Sequence, residues 1–159
     1  EENLFFMPGY PEIHRITKNG MHYIDGELLE NSVFGKDPFE PVKRSYIPDI
    51  INEQSCITVR CVQSGEKIPE SRKEDSSIIV CDTVTTEDID KRLEELQEKK
   101  CLKFIAGCAG LAARLVWKLP FEKKDGQMFR QTKALYVACG SLNMQQNMQK
   151  KQEDLKESI

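Results

Sequence analysis

Short apolar runs, each bounded by polar residues, dominate the first two thirds of the chain. The runs at 4–7 and 102–106 are predicted to be buried strands, and the all-apolar run at 78–81 a strand covered on both faces. In the run at 56–62 apolar and polar residues alternate, which predicts a strand with one buried face. The polar residues 63–76, which include a glycine and a proline, are predicted to form an exposed connection.

A β-hairpin is predicted over residues 21–30. Asp25-Gly26 separates Met21–Ile24 from residues 27–30, and this dipeptide supplies the two positive-φ positions of a type I′ turn. This is the strongest local signal in the first third of the chain.

Helical signals follow at three places. Ser45 is a candidate N-cap for a short helix over 46–53, with Pro48 in its first turn. The last of the three helices is predicted from Leu111 to about Lys118. Between these two, Thr85 and Asp88 have the spacing of a capping box, and the helix they open has a buried stripe of Ile89, Leu93 and Leu96.

The order of elements predicts an α/β fold: a mainly parallel sheet with flanking helices and an inserted β-hairpin, Rossmann-like but incomplete. Residues 1–119 are predicted to form the end of one domain. Residues 120–132 are charged and form a predicted linker, and residues 133–159, with a strand at 134–139 and a polar helix, begin a second domain. A chain that opens directly on a buried strand suggests a preceding segment.

Composition excludes several classes of protein. The 159 residues include 31% charged side chains and have a net charge of −3. No apolar run approaches the roughly 18 residues of a membrane span, and no basic segment precedes an apolar one as in a secretory signal. A cytoplasmic protein that binds neither membrane nor nucleic acid is therefore expected.

Six cysteines are spread over residues 56–139 without a C-x-x-C pair. Neither His14 nor His22 has the spacing of a zinc finger to any of them. The cysteines are predicted to be small buried hydrophobic residues in a reducing cytosol, and no metal site is predicted.

Two strand–glycine–helix junctions are the candidate binding sites. At Gly107-Cys108-Ala109-Gly110 a strand runs into a helix N-terminus, whose free amides and dipole attract anions. The alternative is that the glycines only permit a tight turn and close packing. At Gly140-Ser141 the hydroxyl would either reach a phosphate or cap the next helix.

Three further side chains are of interest for binding or catalysis. Arg15 can form a bidentate contact with a carboxylate or phosphate, or lie solvated on a loop. Asp82 follows a buried strand, where it would contact a ligand or cap a turn. His22 is expected to be a residue of the hairpin face rather than a catalytic base.

The ordered set of motifs resembles the four-carbon acid sugar kinase family, cytosolic bacterial enzymes with a sugar-binding N-terminal and a nucleotide-binding C-terminal domain. The resemblance covers about residues 5–118 and, more weakly, 134–149. The motifs are Pro11–Thr17, Gly20–Gly26, Asp37-Pro38 with Pro41-Val42 and Ser45, Asp82–Thr85, and Gly107–Ala112.

The resemblance implies part of an ATP-dependent kinase that phosphorylates a threonate- or erythronate-like acid. It implies that Arg15 and Gly107, Cys108, Ala109 and Gly110 bind the substrate, that Gly140 and Ser141 bind ATP, and that Mg²⁺ is required. The expected partners are a sugar acid, ATP and, as a further option, a second copy of the chain. No catalytic residue is nominated.

Two departures from the family pattern favour an alternative function. The family's Asp-Asp…Thr-Gly motif, which holds the sugar acid, is absent, and Cys108 replaces the usual serine. The alternative is a truncated, non-catalytic α/β module that binds a small anion or a partner chain. The chain lacks the Gly-x-Gly-x-x-Gly turn that an NAD-dependent oxidoreductase would require.

Overall fold

The computed structural model describes residues 3–69 and 76–119, which contain two sheets and three α-helices. The strands are β1 (Leu4–Met7), β2 (Arg15–Lys18), β3 (Met21–Ile24), β4 (Glu27–Leu28), β5 (Thr58–Val62), β6 (Ser77–Cys81) and β7 (Ile105–Gly107). The α-helices are α1 (Ile47–Asn52), α2 (Thr86–Glu98) and α3 (Ala109–Lys118).

Four parallel strands form the larger sheet, in the order β5-β6-β1-β7. β1 is a central strand, because Phe5 lies beside Ile79 of β6 on one side and Ile105 of β7 on the other. The smaller sheet is antiparallel, in the order β2-β3-β4. The predicted α/β class, with a mainly parallel sheet, flanking helices and an inserted hairpin, is confirmed.

The main core joins the parallel sheet to α2 and α3. It contains Phe5 and Met7 of β1 and Leu111 of α3. The predicted stripe of α2 is confirmed by three side chains that are no more than 1% exposed, those of Ile89, Leu93 and Leu96. Ile78 of β6 is only half-buried, so this strand is not fully covered on both faces as the apolar run suggested.

The predicted type I′ turn and the predicted capping box of α2 are both confirmed. Asp25 and Gly26 have φ values of 51° and 84°, as a type I′ turn requires. At the start of α2, the Asp88 amide donates to Oγ1 of Thr85 at 3.3 Å, and the Thr85 amide donates to the Asp88 carboxylate at 2.8 Å. This reciprocal pair is the capping box.

The predicted cap of α1 is wrong. The N-cap position is Tyr46, with no side-chain cap, although Pro48 does lie in the first turn. Ser45 is buried and its Oγ accepts a hydrogen bond from the Glu30 amide at 3.0 Å. The sequence pattern of a serine before a helix is the same whether the serine caps that helix or binds a backbone group elsewhere.

Other boundaries shift by two or three residues. β5 begins at Thr58 rather than at residue 56, and β7 covers Ile105–Gly107 rather than 102–106. α3 begins at Ala109, before the predicted Leu111. In the connection after β5, Ile68 is buried in the main core although its neighbours are exposed.

The burial predicted for the cysteines holds for only one of the five that the structure describes. All five are free thiols, of which Cys81 is buried. Cys56 is exposed because it precedes β5, and Cys61, Cys101 and Cys108 are half-buried. Burial raises the pKa of the Cys81 thiol to about 12, so this cysteine is an inert core residue.

The predicted linker at 120–132 and the segment at 133–159, including Gly140 and Ser141, lie outside the described residues. The domain boundaries therefore stay predictions. Of the helices described, none has the length and apolarity needed to cross a bilayer.

The two sheets are joined where β2 meets Thr83, the second residue after β6. The amide of Thr17 donates to the carbonyl of Thr83 at 3.1 Å, and the Thr83 amide donates to the Thr17 carbonyl at 2.9 Å. Thr83 also packs on Gly9, where an added Cβ would lie 1.9 Å from Oγ1 of Thr83. That hydroxyl is enclosed and has no hydrogen-bond partner among the described residues.

We expect Gly9→Ala to destabilise the protein by about 2 kcal/mol or more, because the methyl group has no room against Thr83. Adding Thr83→Ala removes the nearest atom and should restore part of the loss. The measurement is urea unfolding of both single variants and the double variant. Simple additivity of the two single effects would contradict the proposed clash.

Stability should also depend on pH through His22, which is buried and has Nδ1 3.0 Å from Oγ1 of Thr17. Burial and, second, the charge of Arg15 lower the pKa of His22 below 6.5. The unfolded chain therefore binds this proton more readily, and the free energy of unfolding should fall as the pH falls below 6.5.

Urea unfolding between pH 5 and pH 7.5 checks this dependence. His22→Gln should flatten the profile in that range, whereas the matched variant His14→Gln, at an exposed position, should leave it unchanged. Equal profiles for wild type and His22→Gln would show that His22 does not set the pH dependence.

Candidate functional site

The carboxyl ends of three neighbouring strands meet at one edge of the parallel sheet. β1 leads into Gly9, β6 into Asp82 and Thr83, and β7 into Cys108. In open α/β sheets, ligands bind at this edge, where the chain leaves the strands and backbone groups become free. We call these residues, with the first turn of α3, the carboxyl edge.

The first turn of α3 presents backbone amides at the carboxyl edge. Cys108 is the N-cap residue and no side chain caps the helix. The Ala112 amide donates to the Cys108 carbonyl at 3.2 Å, so the amides that precede it, from Ala109 to Leu111, have no acceptor within the helix. With the dipole of this ten-residue helix, they favour a negative charge.

The thiol of Cys108 does not point away from the fold, since its Sγ donates to the Gly9 carbonyl at 3.1 Å. This contact links the ends of β7 and β1. The serine usual in the related family could make the same hydrogen bond, because a hydroxyl is also a donor.

Both glycines of this junction have a packing role. A Cβ on Gly107 would lie 2.6 Å from the Met7 carbonyl and from the Leu111 side chain. A Cβ on Gly110 would lie 3.0 Å from the Gly9 carbonyl and 2.9 Å from the ring of Tyr10. These contacts explain the glycines without a ligand, and the assignment of Gly107, Cys108, Ala109 and Gly110 to substrate stays a prediction.

Arg15 begins β2, so it does not lie on a loop as one alternative had it. Its guanidinium lies over the Phe34 ring, 5.2 Å from the centroid, which fixes the side chain by a cation–π contact. Its backbone pairs with Tyr10: the Tyr10 amide donates to the Arg15 carbonyl at 2.6 Å, and the Arg15 amide donates back at 3.2 Å. Tyr10 in turn packs on Gly110. Tyr10 thus joins the start of β2 to the start of α3, whereas no described contact joins the guanidinium to α3.

Asp82 caps a turn, but the turn belongs to a distant segment. Its carboxylate accepts hydrogen bonds from the amides of Asn19, at 2.5 Å, and Gly20, at 3.0 Å, in the turn between β2 and β3. The side chain is only 2% exposed. Sequence spacing did not reveal the contact of Asp82, because it joins distant segments of the chain. It did not reveal the role of Tyr10 either, because Tyr10 belongs to no recognised motif.

A cavity of about 540 Å³ lies beside the carboxyl edge, between α2 and the loop that follows β5. Its acidic side chains outnumber its basic ones. The buried guanidinium of Arg92 is already bonded to Glu95, at 2.6 Å, and to the Gln63 carbonyl, at 3.2 Å. The cavity therefore suits an anion less well than the first turn of α3 does.

Metal-ligating side chains are not clustered in the part of the chain that the structure describes. No group of three or more His, Cys, Asp or Glu residues there is placed to hold a metal ion.

Comparison with protein families gives a match over most of the chain. Residues 1–115 match the family model described as a sugar-binding N-terminal domain. No curated protein matches the chain.

Comparison with solved structures shows the same fold in larger proteins. A DUF1537 protein of Haemophilus influenzae is 20% identical, with a TM-score of 0.66 over 84% of this chain and 34% of its own. A DUF1537 protein of Bordetella bronchiseptica, crystallised as a domain-swapped dimer with bound citrate, is 24% identical, with a TM-score of 0.55 over 74% of this chain and 30% of its own. The chain thus spans about a third of the length of these neighbours.

Proposed function

Because the chain belongs to the family of sugar-binding N-terminal domains, we propose that it is the sugar-acid-binding part of an ATP-dependent kinase. The proposed substrate is a four-carbon sugar acid such as threonate or erythronate, one hydroxyl of which is phosphorylated. The carboxylate of the acid binds at the first turn of α3.

The observation that carries this proposal is the uncapped N-terminus of α3 at the carboxyl edge. The amides from Ala109 to Leu111 lack acceptors within the helix, and Ala109 itself is exposed. A carboxylate has two oxygens that can accept from such amides, and the helix dipole adds a favourable interaction of about 0.3–1 kcal/mol. A neutral sugar would gain only the hydrogen bonds.

Support for the ligand class comes from the Bordetella bronchiseptica protein, whose crystals contain citrate. Citrate carries carboxylates and a hydroxyl, the same groups that a four-carbon sugar acid offers. That protein is also a domain-swapped dimer, which supports including a second copy of this chain among the proposed partners.

ATP and Mg²⁺ belong to the proposal through the resemblance to sugar acid kinases. Gly140 and Ser141 are the proposed ATP-binding residues. The described residues do not supply a three-ligand metal site, so the proposed role of this part of the chain is to bind and orient the acid. Bound Mg²⁺ would neutralise charge on the transferring phosphoryl group.

A non-catalytic module that binds a small anion is the second candidate. It uses the same first turn of α3, and it is favoured by Cys108 at a position where the related kinases usually have serine. Binding and turnover therefore have to be measured separately.

Binding is tested with Ala109→Asp. The new carboxylate at the helix N-terminus is compatible with the fold, because the position is exposed and the helix dipole favours a negative charge. It should repel threonate and raise its Kd at least tenfold, as measured by isothermal titration calorimetry.

The matched control is Ala113→Asp, also exposed but one turn further along α3. We expect its Kd for threonate to stay within about twofold of wild type, since it adds the same charge away from the free amides. Equal Kd values for Ala109→Asp and wild type would place the acid elsewhere.

Turnover is tested by release of ADP from ATP in the protein that carries this chain, with threonate and erythronate as acceptors and Mg²⁺ present. We expect ADP release that depends on the acid. Threonate binding without turnover across the panel of acids would support the non-catalytic module instead.

A further inference from the structure

A single buried carboxylate holds the turn between β2 and β3. The two oxygens of Asp82 each accept one amide, from Asn19 and Gly20 respectively. Asn19 and Gly20 have φ values of 53° and 73°, so the turn has the left-handed backbone that points successive amides toward one side. The turn is also packed, because a Cβ on Gly20 would lie 2.6 Å from the ring of Tyr46.

The charge of Asp82 is met by backbone groups and not by a cation. None of the ion pairs among the described residues includes it. Burial, followed by the nearby Asp88 and Glu66, raises its pKa, while the two amides oppose that shift. Burying this carboxylate costs desolvation, and the two amide hydrogen bonds to its oxygens offset part of that cost.

The contact extends along β2. Next to Asp82, Thr83 exchanges two backbone hydrogen bonds with Thr17. At the other end of β2, Arg15 exchanges two with Tyr10, which packs on the start of α3. β2 is thus held near one end by Thr83 of the carboxyl edge and at the other by Tyr10, and Asp82 supplies the side-chain part of that attachment.

We propose that Asp82 is a positioning residue, whose buried carboxylate fixes the β2–β3 turn and thereby the place of Arg15 relative to the first turn of α3. The inference rests on the proposed binding of a sugar acid at α3. Asp82 acts through β2 and does not touch the acid. Arg15 is the residue that responds, because its backbone pairs with Tyr10, which packs on the start of α3.

The first measurement needs no ligand. Asp82→Asn keeps one acceptor oxygen but places an N–H₂ group against an amide, so one hydrogen bond is lost. Hydrogen exchange by NMR should show at least tenfold faster exchange of the Asn19 or Gly20 amide in the variant. The matched control Asp49→Asn, at a surface ion pair with Arg44, should leave both rates unchanged.

The second measurement is a double-mutant cycle for threonate binding, by calorimetry. Asp82→Asn should raise Kd at least fivefold in the wild-type background and less than twofold when Arg15→Ala is also present. A purely structural role would give the same factor in both backgrounds. If Asp82→Asn does not fold, Asp82→Glu keeps charge and both acceptors at a longer reach, and the same cycle applies.

The outcomes separate this inference from the proposed function. Unchanged exchange in Asp82→Asn overturns the anchoring role, and faster exchange with an equal Kd factor in both backgrounds overturns the positioning role. A wild-type protein that binds neither threonate nor citrate overturns the proposed function and, with it, the positioning of Arg15 for that ligand.

Discussion

The rest of the structure depends on the pairing of β1 with a parallel strand on each side. Because Phe5 and Phe6 pair with β6 and with β7 in parallel registers, the three strands end at the same edge. That edge gathers Gly9, Asp82, Thr83 and Cys108, although these residues are far apart in the chain. Both the attachment of the antiparallel sheet and the start of α3 are consequences of this alignment.

Local patterns predicted most of the elements but not the contacts that join them. Asp25-Gly26 and the Thr85–Asp88 pair act within a few residues, so their spacing predicts the turn and the cap. β2 was not predicted, because only one of its four residues, Ile16, is strongly apolar. The strand is defined by its pairing with β3. The class of fold follows from the order of the elements, whereas strand order required the coordinates.

The candidate site, like the fold, was predicted only in part. The junction from Gly107 to Gly110 was visible because small residues follow an apolar run, and the structure does place it at a helix N-terminus. The contacts of Asp82 with Asn19 and Gly20 join residues more than 60 positions apart. No local sequence pattern indicates which distant backbone amides a carboxylate will meet. Ser45 shows the converse, because its position before a helix predicted a cap whereas its Oγ accepts from the Glu30 amide.

The glycine-containing junction at α3 combines two requirements that a single residue type meets. Gly107 and Gly110 let the helix approach the ends of β1 and β7, and that approach brings the free amides of α3 to the edge of the sheet. Larger residues would move the helix outward and enlarge the space at its N-terminus. Under the proposed function, the packing of these glycines and the binding of the acid are therefore coupled rather than alternatives.

The central place of β1 also has a consequence for how the chain folds during synthesis. β5 and β6 are close in sequence and can pair early, but Phe5 meets Ile105 only after the intervening hundred or so residues have been made. Closing a loop of that length costs about 4 kcal/mol of chain entropy, which must be recovered from contacts that form together. β1 is thus enclosed on both sides only after β7 has been made, and until then its apolar side chains stay partly exposed.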